Sequence, residues 1–390
     1  MARRGVVWAR CGVAAAAIAG SALLPACGDR VSRDDIRDTI DKGKTSGGGE
    51  AKPPQGGGGK PPQGGGTQPT AACPPLTVTD DLRGVFAVAA NDVWAVGDAG
   101  TVLHYDGCWR AEPKATTADL NGVWASADGT VWVAGASATT LRRSGGAWSV
   151  FTAPGAMDVQ GIWATATDVW AAAANQTTQE GAIFRWDGAA WQLSHTNSTP
   201  GTYSAIWAAA PDDVWVVGDG REPDTDYTAI HVHWDGAAWT ESYSCNPEGS
   251  RFAAGGWVAV LADIWGISAN AVWDAGDCSP GAGPVRHALI ERRAGDAWLE
   301  IDPGVVADYR PLGAIWASSE SDLWGASAAE NIEGNIPTML HFDGTAWTAS
   351  DDPNTVGIHD LGGTSASDVW AVGLRGKRLH FDGTAWTPSP

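Results

Sequence analysis

Short apolar runs broken by turn formers fill residues 82–390, and no stretch keeps helical periodicity for ten residues. Four kinds of run recur in a fixed order. The first reads G-V-W-A-S (122–126), the second D-V-W-A-V-G (368–373), and the third T-V-L-H-Y-D-G (101–107). The fourth starts at a tryptophan shortly after the Asp-Gly pair. Runs this short, bounded by Asp, Gly and Ser, predict strands. The first two are apolar on both faces, as in strands covered from both sides.

Three landmarks set the period. An aromatic after Val or Ile falls at Phe86, Trp124, Trp163, Trp207, Trp265 and Trp316, with Gly362 in the seventh place. A tryptophan in the second run falls at Trp94, Trp132, Trp170, Trp215, Trp273, Trp324 and Trp370. A third series is Trp109, Trp148, Trp191, Trp239, Trp298, Trp347 and Trp386. Seven units of roughly 44 residues match the period of propeller blades. The predicted fold is therefore all-β: a seven-bladed β-propeller of four-stranded antiparallel blades. Its tryptophans fill the wedge between splayed sheets, since one blade cannot bury its own faces. Trp186 and Trp234, just before Asp-Gly, are read as structural too.

Loop lengths divide the two faces of the ring. First-to-second-strand turns keep their length, whereas second-to-third-strand and blade-to-blade connections vary. Examples are ANQTTQEGA, GDGREPDTDYTA, YSCNPEGSRFAAGGWVAV, GDCSPGAGPVRHA and AAENIEGNIPT. Insertions on one face of a repeat scaffold mark a binding surface, so this face of blades 3–6 is the expected site. Its candidate binding residues are Tyr203, Arg221, Asp224, Asp226, Tyr227, Tyr243, Arg251 and Trp257, the aromatics expected as exposed anchors for a sugar or a protein.

The ends of the chain change the picture. Residues 1–26 read as a signal peptide: Arg3, Arg4 and Arg10 precede an apolar run too short for a stop-transfer helix. Leu24-Pro25-Ala26-Cys27 resembles the bacterial lipobox, which implies lipidation of Cys27 and, with Gly28 following, an outer-membrane location. An ordinary signal peptide cleaved nearby is the alternative. Residues 27–72, with KPPQGGG twice, have a composition that cannot build a core and form a flexible tether to the propeller of 73–390.

Net charge is −20, and its distribution matters. Residues 1–72 hold ten bases against six acids, which leaves 15 bases against 39 acids in 73–390. Such a body repels phosphate backbones, so no nucleic-acid partner is expected. Apart from Cys11 and Cys27, four cysteines remain for an oxidising compartment. Their places in the repeat pair Cys245 with Cys278 across the two longest insertions, and Cys73 with Cys108. PLTVTDD after Cys73 is expected to add an outer strand beside WTPSP at the C-terminus.

The Asp-Gly-x-x-Trp hairpins (Asp187-Gly188, Asp235-Gly236, Asp343-Gly344, Asp382-Gly383) resemble the Asp-box of sialidase-like repeats, with Asp and Gly adjacent here. The W-A-V-G strand followed by G-T-V-L resembles repeats of bacterial propellers of the photosystem-assembly-factor type. Both resemblances imply fold; such blades serve enzymes, assembly factors and adhesins alike. A sialidase would need an arginine clamp and a Tyr–Glu nucleophile pair, which the sequence does not locate. His231 and His233 share one strand face, a spacing suited to a metal pair. But His233 recurs with His104, His341 and His380 and reads as a scaffold hydrogen-bonder. The run 219–226 offers Asp219, Asp224 and Asp226 to calcium without the pattern of an EF-hand loop. No metal or cofactor is expected, with calcium left open at that run. The sequence therefore predicts an envelope-anchored lipoprotein binding an envelope or extracellular protein or glycan without catalysis. A glycan-active hydrolase or lyase is the alternative.

Overall fold

The computed structural model describes residues 73–221, 227–244, 257–280, 288–295, 297–301, 303, 311–328, 339–350 and 353–390. They form seven four-stranded sheets, each built from consecutive strands, here A to D, in antiparallel order. Blade 1 spans 82–111, blade 2 120–152, blade 3 158–196 and blade 4 201–244. Blade 5 spans 257–300, blade 6 314–350 and blade 7 358–388. Strands A touch in sequence around the ring, and strand A of blade 7 (Ile358–Ser365) meets strand A of blade 1 (Leu82–Ala89). The ring is thus closed without strand exchange.

Local chemistry sets the strand limits. The glycine that ends strand B lets strand A pass close by: a Cβ on Gly97 would lie 2.0 Å from the Asp81 carbonyl oxygen, and one on Gly373 1.9 Å from that of Gly357. In the C–D hairpins, the Asp187 and Asp235 carboxylates each accept two backbone N–H groups at 2.8 Å, and the next residue turns with positive φ, which glycine adopts freely.

The core consists of seven apolar clusters, one per junction between neighbouring blades, including that of blades 7 and 1. At six junctions the strand-B tryptophan of one blade meets the strand-D tryptophan of the next edge to face. These pairs are Trp94–Trp148, Trp132–Trp191, Trp170–Trp239, Trp215–Trp298, Trp324–Trp386 and Trp370–Trp109. Their centroids lie 5.3–6.2 Å apart with planes at 69–88°. At the seventh junction Trp273 and Trp347 share one cluster.

A cap covers the strand-B indole from strand C. His104, His233 and His341 stack on Trp94, Trp215 and Trp324 at 3.8–4.0 Å, and His380 lies over Trp370 at 4.3 Å. Each shares a hydrogen bond of 2.7–2.8 Å through Nε2 with the aspartate that opens strand B. In blades 2, 3 and 5 a guanidinium, from Arg142, Arg185 or Arg292, takes that place over the ring.

The expected outer strand after Cys73 does not form. Residues 73–80 make no ladder, and strand D of blade 7 (Trp386–Pro388) pairs only with strand C. Pro74, Pro75, Pro388 and Pro390 lack the N–H groups such a ladder needs. The segment instead crosses the closing junction, where Leu76 and Val78 pack into the core. The Leu76 carbonyl accepts from Arg378 (3.3 Å) and Asp81 Oδ1 from the Arg375 N–H (2.7 Å). A Cys73–Cys108 disulfide, with Cα atoms 5.4 Å apart, ties this segment to blade 1.

Candidate functional site

Alternation of strand direction puts the A–B and C–D turns on one face and the B–C and D–A connections on the other. The first kind are short, as between Ala89 and Asp92 or Ser268 and Ala271. The second include the stretches between Ser244 and Trp257, Glu300 and Ala314, and Ala326 and Met339. Blades 4 and 5 also have the longest strands. In blades 1, 2 and 7 strand B stops at Gly97, Gly135 and Gly373. In blade 4 it runs past Gly218 to Arg221, and in blade 5 past Gly276 to Pro280. Paired backbone therefore projects from the variable face as a wall, its last rungs being Arg221 with Tyr227 and Trp257 with Pro280.

Three candidate residues, Arg221, Tyr227 and Trp257, thus have their backbones at the rim of this wall. Asp224, Asp226, Arg251 and Cys245 lie outside the described residues. Cys278 is disulfide-bonded, to a partner that is also outside them.

Tyr203 is not an exposed anchor. It is fully buried at the junction of blades 3 and 4, its ring filling the space that the missing side chain of Gly181 leaves, and burial raises its phenol pKa. Tyr243 is half-buried on strand D of blade 4 (Trp239–Ser244), where its hydroxyl donates to Glu241 (3.2 Å) and meets Thr199 (3.2 Å). Burial opposes ionisation of Glu241, but hydrogen bonds from His195, Ser198 and Tyr243 hold it down at about 2. This Tyr–Glu pair sits on the outermost strand, where it knits blade 3 to blade 4. Asp219 is buried, accepts a hydrogen bond from Thr202, and has its carboxyl pKa raised by burial.

Three arrangements were not legible beforehand. The first-landmark rings pack into the blade junctions and also meet one another across the axis. Phe86 of blade 1 lies 5.8 Å from Trp163 of blade 3, which lies 5.6 Å from Trp265 of blade 5. Trp124, Trp207 and Trp316 extend this plug at 6.2–6.3 Å. Trp163 and Trp207 also floor a cavity of about 670 Å³ on the fixed-turn face, beside Gly266 and the exposed Ile267.

Two residues before the landmark, most blades carry Gly or Ala because neighbouring A strands nearly touch. Blades 5 and 7 carry Asp263 and Asp360 instead. Asp263 accepts the N–H of Ile264 and, across the junction, that of Ile315, both at 2.8 Å. Asp360 does the same for Leu361 (2.8 Å) and Val85 (2.7 Å). Burial raises both carboxyls, Asp263 to about 7.

The third is a fully buried group between blades 4 and 5. His231 Nε2 lies 2.8 Å from Asp274 Oδ2 and 3.6 Å from Glu291 Oε2, and the Ser244 hydroxyl donates to Glu291 at 2.6 Å. The Trp298 indole stacks on the imidazole at 4.2 Å. Burial lowers His231 to about 4 and, with the neighbouring Asp274, raises Glu291 to about 8. The clue in the sequence was an acid directly after the strand-B tryptophan, where no other blade has one.

The described residues thus define a closed, seven-bladed β-propeller with an aromatic plug. No protein-family profile matches the chain, and no curated protein matches it. Among solved structures it is similar to YCF48 from Cyanidioschyzon merolae, with 15% identity and a TM-score of 0.55, over 80% of this chain and 98% of that one. It is also similar to YCF48 in a structure described as bound to D1 peptide, with 15% identity and a TM-score of 0.53, over 78% and 94% of the two chains. A third is the WD40 β-propeller domain of Doa1, with 12% identity and a TM-score of 0.52, over 76% and 91%. At these identities the likeness is one of fold.

Proposed function

We propose that this chain is an exported lipoprotein, anchored through Cys27, whose propeller binds an extended segment of an envelope or extracellular protein on the face of the B–C and D–A connections. The carrying observation is the wall of blades 4 and 5, which rises on the face where connection lengths vary. Strand ends that run past the limits kept in blades 1, 2 and 7 can offer backbone hydrogen bonds to an extended chain, and aromatic residues at such a rim can supply anchor area. The similarity to YCF48 bound to D1 peptide supports a peptide as the ligand class. Tyr227 and Trp257 are the proposed anchors.

The test is to probe peptide and glycan arrays, built from envelope components, with the full chain and with Tyr227→Ala and Trp257→Ala. Saturable peptide binding that both changes weaken by more than about tenfold would support the reading, since each buried aromatic anchor contributes about 2 kcal/mol or more. Binding confined to glycans, or release of glycan fragments, would replace it with the glycan-directed alternative.

A further inference from the structure

We propose that blades 4 and 5 are joined by a divalent transition-metal ion held by His231, Asp274 and Glu291. The site goes beyond the binding reading, since it would lie inside the scaffold beneath the wall.

The three residues sit where the repeat is broken. Asp274 follows the strand-B tryptophan, where the other blades have Ala95, Val133, Ala171, Val216, Gly325 and Ala371. Glu291 occupies the place of Leu103, Leu141, Phe184, Val232, Leu340 and Leu379. In strands B and C of blade 5 the two acids are direct cross-strand partners. Both are buried, at 0% and 3% exposure, against a His231 that is also 0% exposed. One ligand atom from each residue lies within 4.8 Å of the others.

Two opposed carboxylates out of water repel unless something neutralises them. Protons do so incompletely here. Among the described residues, Asp274 Oδ1 and His231 Nδ1 are buried with no hydrogen-bond partner, so a proton on that oxygen would find no acceptor there. A divalent cation balances both charges at once. One imidazole nitrogen and two carboxylate oxygens suit zinc, manganese or ferrous iron rather than a thiolate-seeking ion. Ligand distances of about 2.0–2.2 Å bring three such atoms round one centre after small side-chain movements. Ser244 on Glu291 and Trp298 on His231 orient the ligands, as outer groups do around metal sites. Complete burial makes the site structural, filled as the ring folds.

The experiment unfolds the full chain in urea with chelator and refolds it with Zn²⁺ or Mn²⁺. After desalting, metal is counted by mass spectrometry and folding is followed by circular dichroism. One ion per chain, retained in EDTA until the protein unfolds, is expected for at least one metal, with a higher melting temperature than the chelator-refolded chain. Glu291→Gln and Asp274→Asn are expected to lower occupancy below about 0.2 ion per chain. A second readout needs no variant: X-ray absorption of the metal-refolded chain should show nitrogen and oxygen ligands without sulfur. A metal-free wild-type chain after refolding with either ion would overturn the proposal, as would undiminished metal in the variants, sulfur ligation or a shell of water alone.

Discussion

Trp370→Ala tests whether indole pairs hold the ring closed. Blades 7 and 1 share no strand, so their junction depends on side chains and a few bonds between strands and loops. Trp370 is 2% exposed and Trp109 1%, with their rings 5.6 Å apart at 84°. A buried indole removes roughly 150–250 Å² from water, worth about 4–6 kcal/mol at ~25 cal/mol per Å². Measured large-to-small changes of this kind cost about 3–5 kcal/mol. Trp370→Ala should therefore cost about 4 kcal/mol, and Trp109→Ala about as much plus the hydrogen bond its Nε1 donates to Ser389 (3.0 Å). The edge-to-face geometry adds a pair-specific coupling of about 0.5–1.5 kcal/mol. Urea unfolding of both single variants and the double variant, read by circular dichroism, closes the cycle. Trp324 and Trp386, at 5.3 Å and 88° between blades 6 and 7, provide the comparison. A coupling indistinguishable from zero at both junctions would refute the reasoning. Coupling at the second junction only would show that closure rests on something other than its indoles.

Three further outcomes are expected. Burial holds the Asp263 carboxyl at about 7; a carboxyl raised on folding contributes stability that is full below its unfolded pKa and is lost as pH rises through the folded one. Its share, at most about 4 kcal/mol for three pH units, should fade between about pH 4 and 7, and Asp263→Asn should flatten that slope in melts across pH. Replacing Cys73 and Cys108 by Ser should lower stability by up to about 4 kcal/mol, the loop-closure value for their separation of 35 residues, read as a shift of the urea midpoint. Cys27→Ala should move the protein from the membrane to the soluble fraction on fractionation; undiminished membrane association would refute lipid anchoring.

Much of the fold could be read from the chain because the repeat encodes it. The second and third landmark tryptophans each face a blade junction, so seven periodic copies sufficed to number the blades and place their strands. The first landmark looked the same, an aromatic in an apolar strand. That it points to the axis follows from ring curvature, which no single unit expresses. Tyr203 was misread for a related reason: it lies beside a variable loop in sequence, yet the small Gly181 on the neighbouring blade opens a slot that buries it. The His231–Asp274–Glu291 group draws on two blades. Its signal lay in comparing blade 5 with the others position by position, where two acids replace core residues.

Strand order adds a consequence in time. Every sheet uses consecutive strands, so each blade can pair its strands as soon as its own four have been made. Blade 1, however, presents Leu82, Val85, Leu103 and Trp109 to a partner made last. Until blade 7 arrives, nearly the whole length of the propeller later, that greasy flank stays open to other chains. Synthesis thus carries a waiting period, and the first flank to form is the one with most to gain from a chaperone.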